Sequence, residues 1–487
     1  MIDTDALRSK ILDLAIQGKL TEQLPTDGNA EDLYQQIQAE KAQLIKDKKI
    51  KKEKPLPEIT AEEIPFDIPE NWKWVRLGDV TFIERGGSPR PIKQYLTDSA
   101  DGINWIKIGD VEKGGKYIFD TKEKIIAEGK KKSRRVYPGD FLLTNSMSFG
   151  RPYISKIEGC IHDGWLVIRD LKGYSPEYLY YLLSSSNLYN QFCNKASGST
   201  VNNLNIDKVN NSVVTLPPLS EQKRIVAKVD EVLAEIKIID ELQSQYASNV
   251  DALKSKIIDA GIRGQLTEQL PEDGTAEELY QQIQAEKAQL IKDKKIKKEK
   301  PLPEITADEI PFEIPDNWKW VRWGDISQSI QYGYNAPALE NGRIKMVRIS
   351  DIQSNEVLWE DVPYCDIDED SIETYLLQPN DILFARTGGT VGKSYLVEEV
   401  PEEAVYAGYL IRTRYSSLLS PRYLKYFMQG SLYWSQLRNG TIATAQPNCN
   451  GKTLGKMIVP LPPLSEQKRI VAKINDVFGA LDERDRL

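Results

Sequence analysis

Apolar residues recur at 4-3 spacing from Ile225 through Val229, Val232, Ile236 and Ile239; Gln243 interrupts, and Tyr246, Val250, Leu253 and Ile257 resume the pattern. Nine of these ten positions are apolar, which predicts one long helix with a coiled-coil seam. Pro217–Pro218 close the strand-like VVTL ahead of it. Ser220 has the chemistry of an N-cap, Glu221 suits the positive first turn, and Gly261 with Gly264 ends the helix. At ~1.5 Å per residue, such a helix of about 45 residues is a rod of roughly 65 Å. The same seam returns in two pieces near the ends of the chain, as Ile470, Ile474 and Val477 and as Leu7, Ile11 and Leu14.

The pattern belongs to a repeat. LPPLSEQKRIVAK stands at 216–228 and, letter for letter, at 461–473. LYQQIQAEKAQLIKDKKIKKEKPLPEIT (33–60) returns unchanged at 279–306, and IPENWKWVRLGD (68–79) returns as IPDNWKWVRWGD (314–325). Adding 246 to the N-terminal numbering, or subtracting 245 from the C-terminal, lays both terminal segments onto the central helix. This predicts a pseudo-two-fold molecule with neighbouring termini, its central helix packed antiparallel against a composite of the two terminal pieces.

Seven segments follow: 1–24 and 461–487 as the two halves of the composite helix, 216–264 as the central helix, 25–80 and 265–325 as helical linkers leading into 81–215 and 326–460. The last two regions are largely different in sequence. They share a skeleton of short strands (INWIKIGD against IKMVRISD, YPGDFLL against QPNDILF) followed by helical SPEYL and SPRYL stretches. The expected class is α+β: two mixed α/β domains joined by long antiparallel helices.

Composition changes this picture little, and charge more. The 40% hydrophobic, 28% charged chain is ordinary for a globular protein, and no apolar run approaches a membrane span or an N-terminal signal segment. Four scattered cysteines suit a reducing cytosol, and a single histidine, His162, argues against histidine-based catalysis or metal sites. The net charge of −8 is uneven: 81–215 carries 19 basic against 14 acidic residues, or +5, and 326–460 carries 12 against 15, or −3. The remainder is therefore −10, so whole-chain charge is a poor guide to partners.

No catalytic constellation is visible. TGGTVGKS (387–394) has Thr387 where a phosphate-binding P-loop needs glycine. Asp140 and Asp381 follow turn residues and read as turn chemistry. Amino-methylation tetrapeptides, nuclease clusters and helicase motifs are missing from the sequence. What remains is a set of polar, Gly-rich loops. In the first region these hold Arg85, Ser88, Arg90, Lys130, Lys131, Lys132, Arg134, Asn145, Ser146, Ser148, Arg151, Ser199, Thr200, Asn202 and Asn203. The second region holds Gln331, Tyr332, Tyr334, Arg386, Thr387, Lys393, Thr441, Thr444, Gln446 and Asn448. Arginine and lysine suit guanine edges, asparagine and glutamine suit adenine, and hydroxyls suit phosphate. A solvated surface accounts equally for the basic KKKSRR stretch; the charged 30–52 segment and its copy at 276–298 read as a solvated helix with its linker, with contact to a phosphate backbone or a partner as the alternative.

The assembled pattern resembles the specificity (S) subunit of type I restriction–modification enzymes, over essentially the whole chain. The duplicated LPPLSEQKRIV helix start, the NWKWVRLGD lead-in and the SGSTVNNLN stretch carry the resemblance; NGTIATAQPN is a looser second copy. The resemblance implies two target-recognition domains on double-stranded DNA, each reading one half of a bipartite site, with the helices fixing the spacer. It implies a non-catalytic, cytoplasmic chain without cofactor of its own. Two modification subunits would bring S-adenosylmethionine, and two restriction subunits ATP and Mg. Two other readings stand beside it: a specificity module of another restriction–methyltransferase system, and a coiled-coil scaffold unrelated to DNA.

Overall fold

The structure is a computed structural model that describes residues 1–112, 114–146, 149–196, 204–353, 356–440 and 449–485. It divides into two compact units, Ile2–Gln243 and Ser244–Leu487, with Met1 grouped in the second. The two units share most of their order of elements. In the first, the helices Thr4–Ile16 and Ala30–Lys46 precede a strand Lys73–Arg76 that pairs antiparallel with Val213–Leu216. Between these paired strands lie two five-stranded sheets. One takes the order Thr81–Arg85, Trp165–Asp170, Phe141–Thr144, Pro152–Ser155, Tyr117–Ile118, and the other is built on Ile103–Ile106 and Gly159–Ile161. The second unit repeats the scheme with four- and three-stranded sheets around Leu410–Tyr415 and Ile344–Val347. Among the described residues these sheets form no closed barrel.

The long helix Leu219–Ile262 begins one turn inside a buried knot of polar side chains. Glu221 and Gln222 are fully buried. The Glu221 carboxylate accepts from the Trp72 indole at 2.7 Å and from the Gln23 amide at 2.9 Å. Gln222 accepts from the Ser175 N–H and donates to the carbonyls of Gly173 and Pro217, closing the helix start against the neighbouring chain. Arg224 reaches Asp27 at 2.7 Å. All but the bond to Gly173 recur in the second unit, with Pro462 in place of Pro217. There Trp318 and Gln269 donate to Glu466, Gln467 accepts from the Ser420 N–H, and Arg469 pairs with Asp273. Buried polar atoms demand matched partners, so these letters resist change one at a time. One expectation is corrected: Ser220 is not the N-cap. The helix opens at Leu219, the Pro218 carbonyl accepts from the Gln222 N–H, and the Ser220 hydroxyl turns outward to Asp27.

Along this helix Ile225, Val229, Ile236 and Val250 are buried, and Val232, Ile239 and Ile257 are half-buried. Tyr246 and Leu253 depart from the expected seam, at 40% and 41% exposed. Past Val250 burial moves round to Ile258, Gly261 and Ile262. An α-helix drifts about 20° per heptad from a strict 3.5 repeat, so one stripe cannot face one side through five heptads. Each half has its own cover. Thr4–Ile16 runs antiparallel to the first half, with Thr4 bonded to Asp240 and the Ile2 N–H to Gln243. Leu464–Asp485 runs antiparallel to the second, with Lys254 paired to Asp482 at 2.6 Å. Ile470 and Ile474 are fully buried and Val477, Ile11 and Leu14 half-buried, while Leu7, near the start of its helix, is exposed. Gly261 does not end the helix. It lies inside it, where a Cβ would stand 2.9 Å from Ile470, and Gly264 at φ +73° makes the stop.

Candidate nucleic-acid interface

Three neighbouring strands of one sheet in each unit, Thr81–Arg85, Trp165–Asp170 and Phe141–Thr144 in the first and Ser327–Tyr332, Leu410–Tyr415 and Ile382–Ala385 in the second, have loops at the same end. In the first unit the Gly86 and Gly87 N–H groups donate to the carbonyls of Trp165 and Ile161. The Asn145 N–H donates to Gly164, and the Asn145 carbonyl accepts from Leu204 at 2.9 Å. In the second unit Gly333 donates to Leu410, Tyr334 to Tyr406 and Arg386 to Tyr409, and the Arg386 carbonyl accepts from Cys449, again at 2.9 Å. The two loop frames are the same, bond for bond. Gly86 and Gly333 are needed at the crossing, because a Cβ there would strike the carbonyl oxygens of His162 and Ala407.

On this shared frame the side chains differ. In the first unit Asp163 organises the loops: Ser88 donates to its carboxylate at 2.7 Å, Arg90 pairs with it at 3.4 Å, and the Arg85 guanidinium and Asn145 amide reach its carbonyl. The Ser88 hydrogen bond holds the Asp163 carboxyl below the usual carboxylate range. Burial lowers the pKa of the His162 imidazole, whose Nδ1 accepts from the Gly164 N–H at 2.6 Å. Asn145 itself is buried, while Ser146 is half-buried and Arg151 exposed. Lys130, Lys131 and Lys132 sit alongside, the Lys132 carbonyl against Gly87 and its ammonium on the Tyr95 hydroxyl at 2.7 Å. Arg134 is committed to Glu84 and Arg135 to Glu158, so part of the KKKSRR charge is neutralised within the unit.

In the second unit the equivalent of Arg85 is Tyr332, and the equivalent of Asn145 is Arg386, each pair fixed by strand register or loop hydrogen bonds. The Arg386 guanidinium lies 4.7 Å from the centre of the Tyr332 ring, and its Nε is buried with no hydrogen-bond partner among the described residues. The Tyr332 hydroxyl accepts from the Gly451 N–H at 3.0 Å. Gln331 is used internally, accepting from the buried Arg412 at 2.7 Å, and Tyr334 packs edge-on against Tyr375. Thr387 is half-buried and Lys393 exposed on the turn joining Ile382–Ala385 to Ser394–Leu396. A strand follows this turn, whereas a P-loop runs into a helix. Asp140 and Asp381 are structural, paired with Arg169 and Arg414 at 3.0 and 2.8 Å.

The residues Ser148, Ser199, Thr200, Asn202, Asn203, Thr441, Thr444, Gln446 and Asn448 lie outside the described residues. Asp163 and Tyr409 were not singled out in the sequence. Tyr409, 62% exposed, stands where the first unit has Gly164. The available signal was the short turns HDG and AG that precede the strands at 165 and 410. Among the described residues no group of three or more His, Cys, Asp or Glu is placed to hold a metal, and no helix is long and apolar enough to cross a membrane.

A duplicated α+β unit with one loop frame and two sets of loop side chains is the architecture of a paired recognition protein. The chain belongs to the family of the type I restriction modification DNA specificity domain, whose model matches residues 69–245 and 315–485. It is 28% identical to the type I restriction enzyme EcoAI specificity subunit of Escherichia coli, over 97% of this chain and 88% of that one. To the EcoEI specificity subunit, also of Escherichia coli, it is 27% identical over 98% and 89%. Its fold is similar to that of a chain from a structural study of complex assembly and conformational transition of the type I R-M system, with a TM-score of 0.56 at 19% identity over 87% of this chain and 94% of that chain. Its role is accordingly DNA sequence specificity within a type I restriction–modification system.

Proposed function

We propose that each unit reads one half of an asymmetric, bipartite DNA site. The observation that carries this reading is the pair of matched loop frames bearing Asn145 with Asp163 in one and Arg386 with Tyr332 and Tyr409 in the other. Unlike side chains on like backbones call for unlike half-sites, whereas identical heads would read a palindrome. Leu219–Ile262 acts as the spacer, and the repeated helical frame docks two modification subunits. The chain contributes no catalytic group. S-adenosylmethionine belongs to the modification subunits, which methylate adenine, and ATP with Mg to two restriction subunits, all acting in the cytoplasm. Arg386 is the strongest base-reading candidate: the residue is half-buried, its guanidinium lies over the Tyr332 ring, and its Nη1 has a long 3.5 Å contact to the Gly408 carbonyl.

The test is to map methylated adenines in cells carrying this chain with its modification partner. The expected result is one gapped, non-palindromic motif that disappears when the chain is deleted. An ungapped motif, or one that persists without the chain, contradicts the reading.

A further inference from the structure

The 28-residue identity between 33–60 and 279–306 includes lysines that form no ion pair among the described residues. The arm helices Ala30–Lys46 and Ala276–Lys292 bury Leu33 and Ile37, or Leu279 and Ile283, which accounts for their own sequence. Beyond them the chain continues as an extended strap. Residues 46–54 hold six lysines against two acidic residues, a local charge of +4, and 292–300 repeat it. All twelve lysines are exposed, and none of them forms an ion pair among the described residues.

The strap is held at both ends. At its start Lys48 and Lys294 adopt φ of +56° and +57°, the left-handed position after a helix where glycine or asparagine is favoured, yet both copies keep lysine. At its far end the Arg76 guanidinium donates to the carbonyls of Pro57, Glu58 and Asn211 and pairs with Glu63; Arg322 does the same with Pro303, Glu304, Lys456 and Glu309. The strap is thus tied to the foot of each recognition unit. Attraction between cations and the helix C-terminus accounts for Lys46, Lys48 and Lys49, but not for Lys51, Lys52 and Lys54 farther along.

We infer that the two lysine straps contact the phosphate backbone of duplex DNA without regard to sequence, an inference that rests on the DNA-reading role above. Protein interfaces are depleted in lysine and carried by aromatic and arginine anchors, and the strap has neither. Phosphate contact needs only a dense row of cations, and it is the same at both half-sites. This explains why the straps are identical while the reading loops differ.

The experiment uses the full chain assembled with its modification subunits. Lys48, Lys49, Lys51 and Lys52, with Lys294, Lys295, Lys297 and Lys298, are changed to Gln, and in a second variant to Arg. Duplex affinity is measured against salt concentration on site-bearing and site-free DNA. The glutamine variant is expected to lower the slope of log affinity against log salt by about 0.9 for each phosphate that is no longer neutralised, equally on both duplexes, with the arginine variant near wild type. An unchanged slope overturns the inference. So does failure of the glutamine variant to assemble with the modification subunits, which would make the strap a protein-docking surface. The methylated motif is read in parallel: its disappearance from the wild-type complex refutes the DNA-reading role itself, independently of the slope.

Discussion

Arg386 and Asn145 occupy one position in two copies of one frame, and their chemistry sets different expectations. Arg386 stacks on Tyr332 and retains donor capacity, so Arg386→Ala should relax one position of the second half-site and leave the first unchanged. A bidentate arginine–guanine contact is worth about 1–3 kcal/mol of discrimination, and competition binding against single-base variants of the site measures it. Asn145 is buried and holds the Asp163 carbonyl, so Asn145→Ala should weaken the whole first half-site without changing which bases are preferred. Residue types alone pointed to these loops because hydrogen-bonding side chains were concentrated there. They did not separate Arg386, which stands over a ring, from Gln331, which is spent on a buried arginine. That distinction depends on partners 54 and 81 residues away, beyond any local pattern.

At the scale of the element, the repeated helix start has an internal reason to be invariant. Glu221→Ala leaves the buried Trp72 indole without its acceptor, while the exposed Gln23 amide keeps the Gly18 and Thr21 carbonyls. Each buried group left unsatisfied costs about 1–3 kcal/mol. At about 2–4 °C per kcal/mol for a unit of this size, a drop in Tm of several degrees is expected, read by differential scanning calorimetry. Ser220→Ala, at an exposed residue whose hydroxyl bonds to Asp27, leaves Arg224 paired with Asp27 and should shift Tm less. The length of the central helix was legible in the 4-3 spacing, and its identity with the terminal helices was legible in the repeat. The exposure of Tyr246 and Leu253 was not, because helical drift and a change of covering helix are tertiary effects. If the helix is the spacer, inserting one turn of about four residues after Gln243 adds roughly 5.4 Å, or one to two base pairs of gap. Methylation mapping should show both half-sites retained and the gap longer; an altered half-site at constant gap contradicts the ruler role.

For the whole molecule, four acid–base pairs stand out, two joining segments 197 and 196 residues apart and two closing 13-residue spans. Asp27 with Arg224, Asp273 with Arg469, Glu63 with Arg76 and Glu309 with Arg322 each hold the carboxyl down to about 2, from ordinary values of 3.8 for Asp and 4.5 for Glu. A carboxyl whose pKa is lower in the folded state stabilises the fold above its unfolded value, and that contribution fades as pH falls through the folded one. Stability should therefore decline between about pH 4.5 and pH 2, and Asp27→Asn with Asp273→Asn should flatten that decline in urea titrations at stepped pH. Sequence alone supplied the duplication, the α+β class and the division into constant and variable parts, because those are properties of one-dimensional order. It did not supply the matched loop frames, which arise from hydrogen bonds between strand ends remote in the chain.

Two independent heads on one repeated frame is the central claim, and a head duplication tests it most directly. Residues 81–215 are replaced by 326–460, and methylated adenines are mapped in cells carrying the altered chain with its modification partner. The account predicts a gapped inverted repeat built from the second half-site alone. A methylated motif that still contains the first half-site contradicts it.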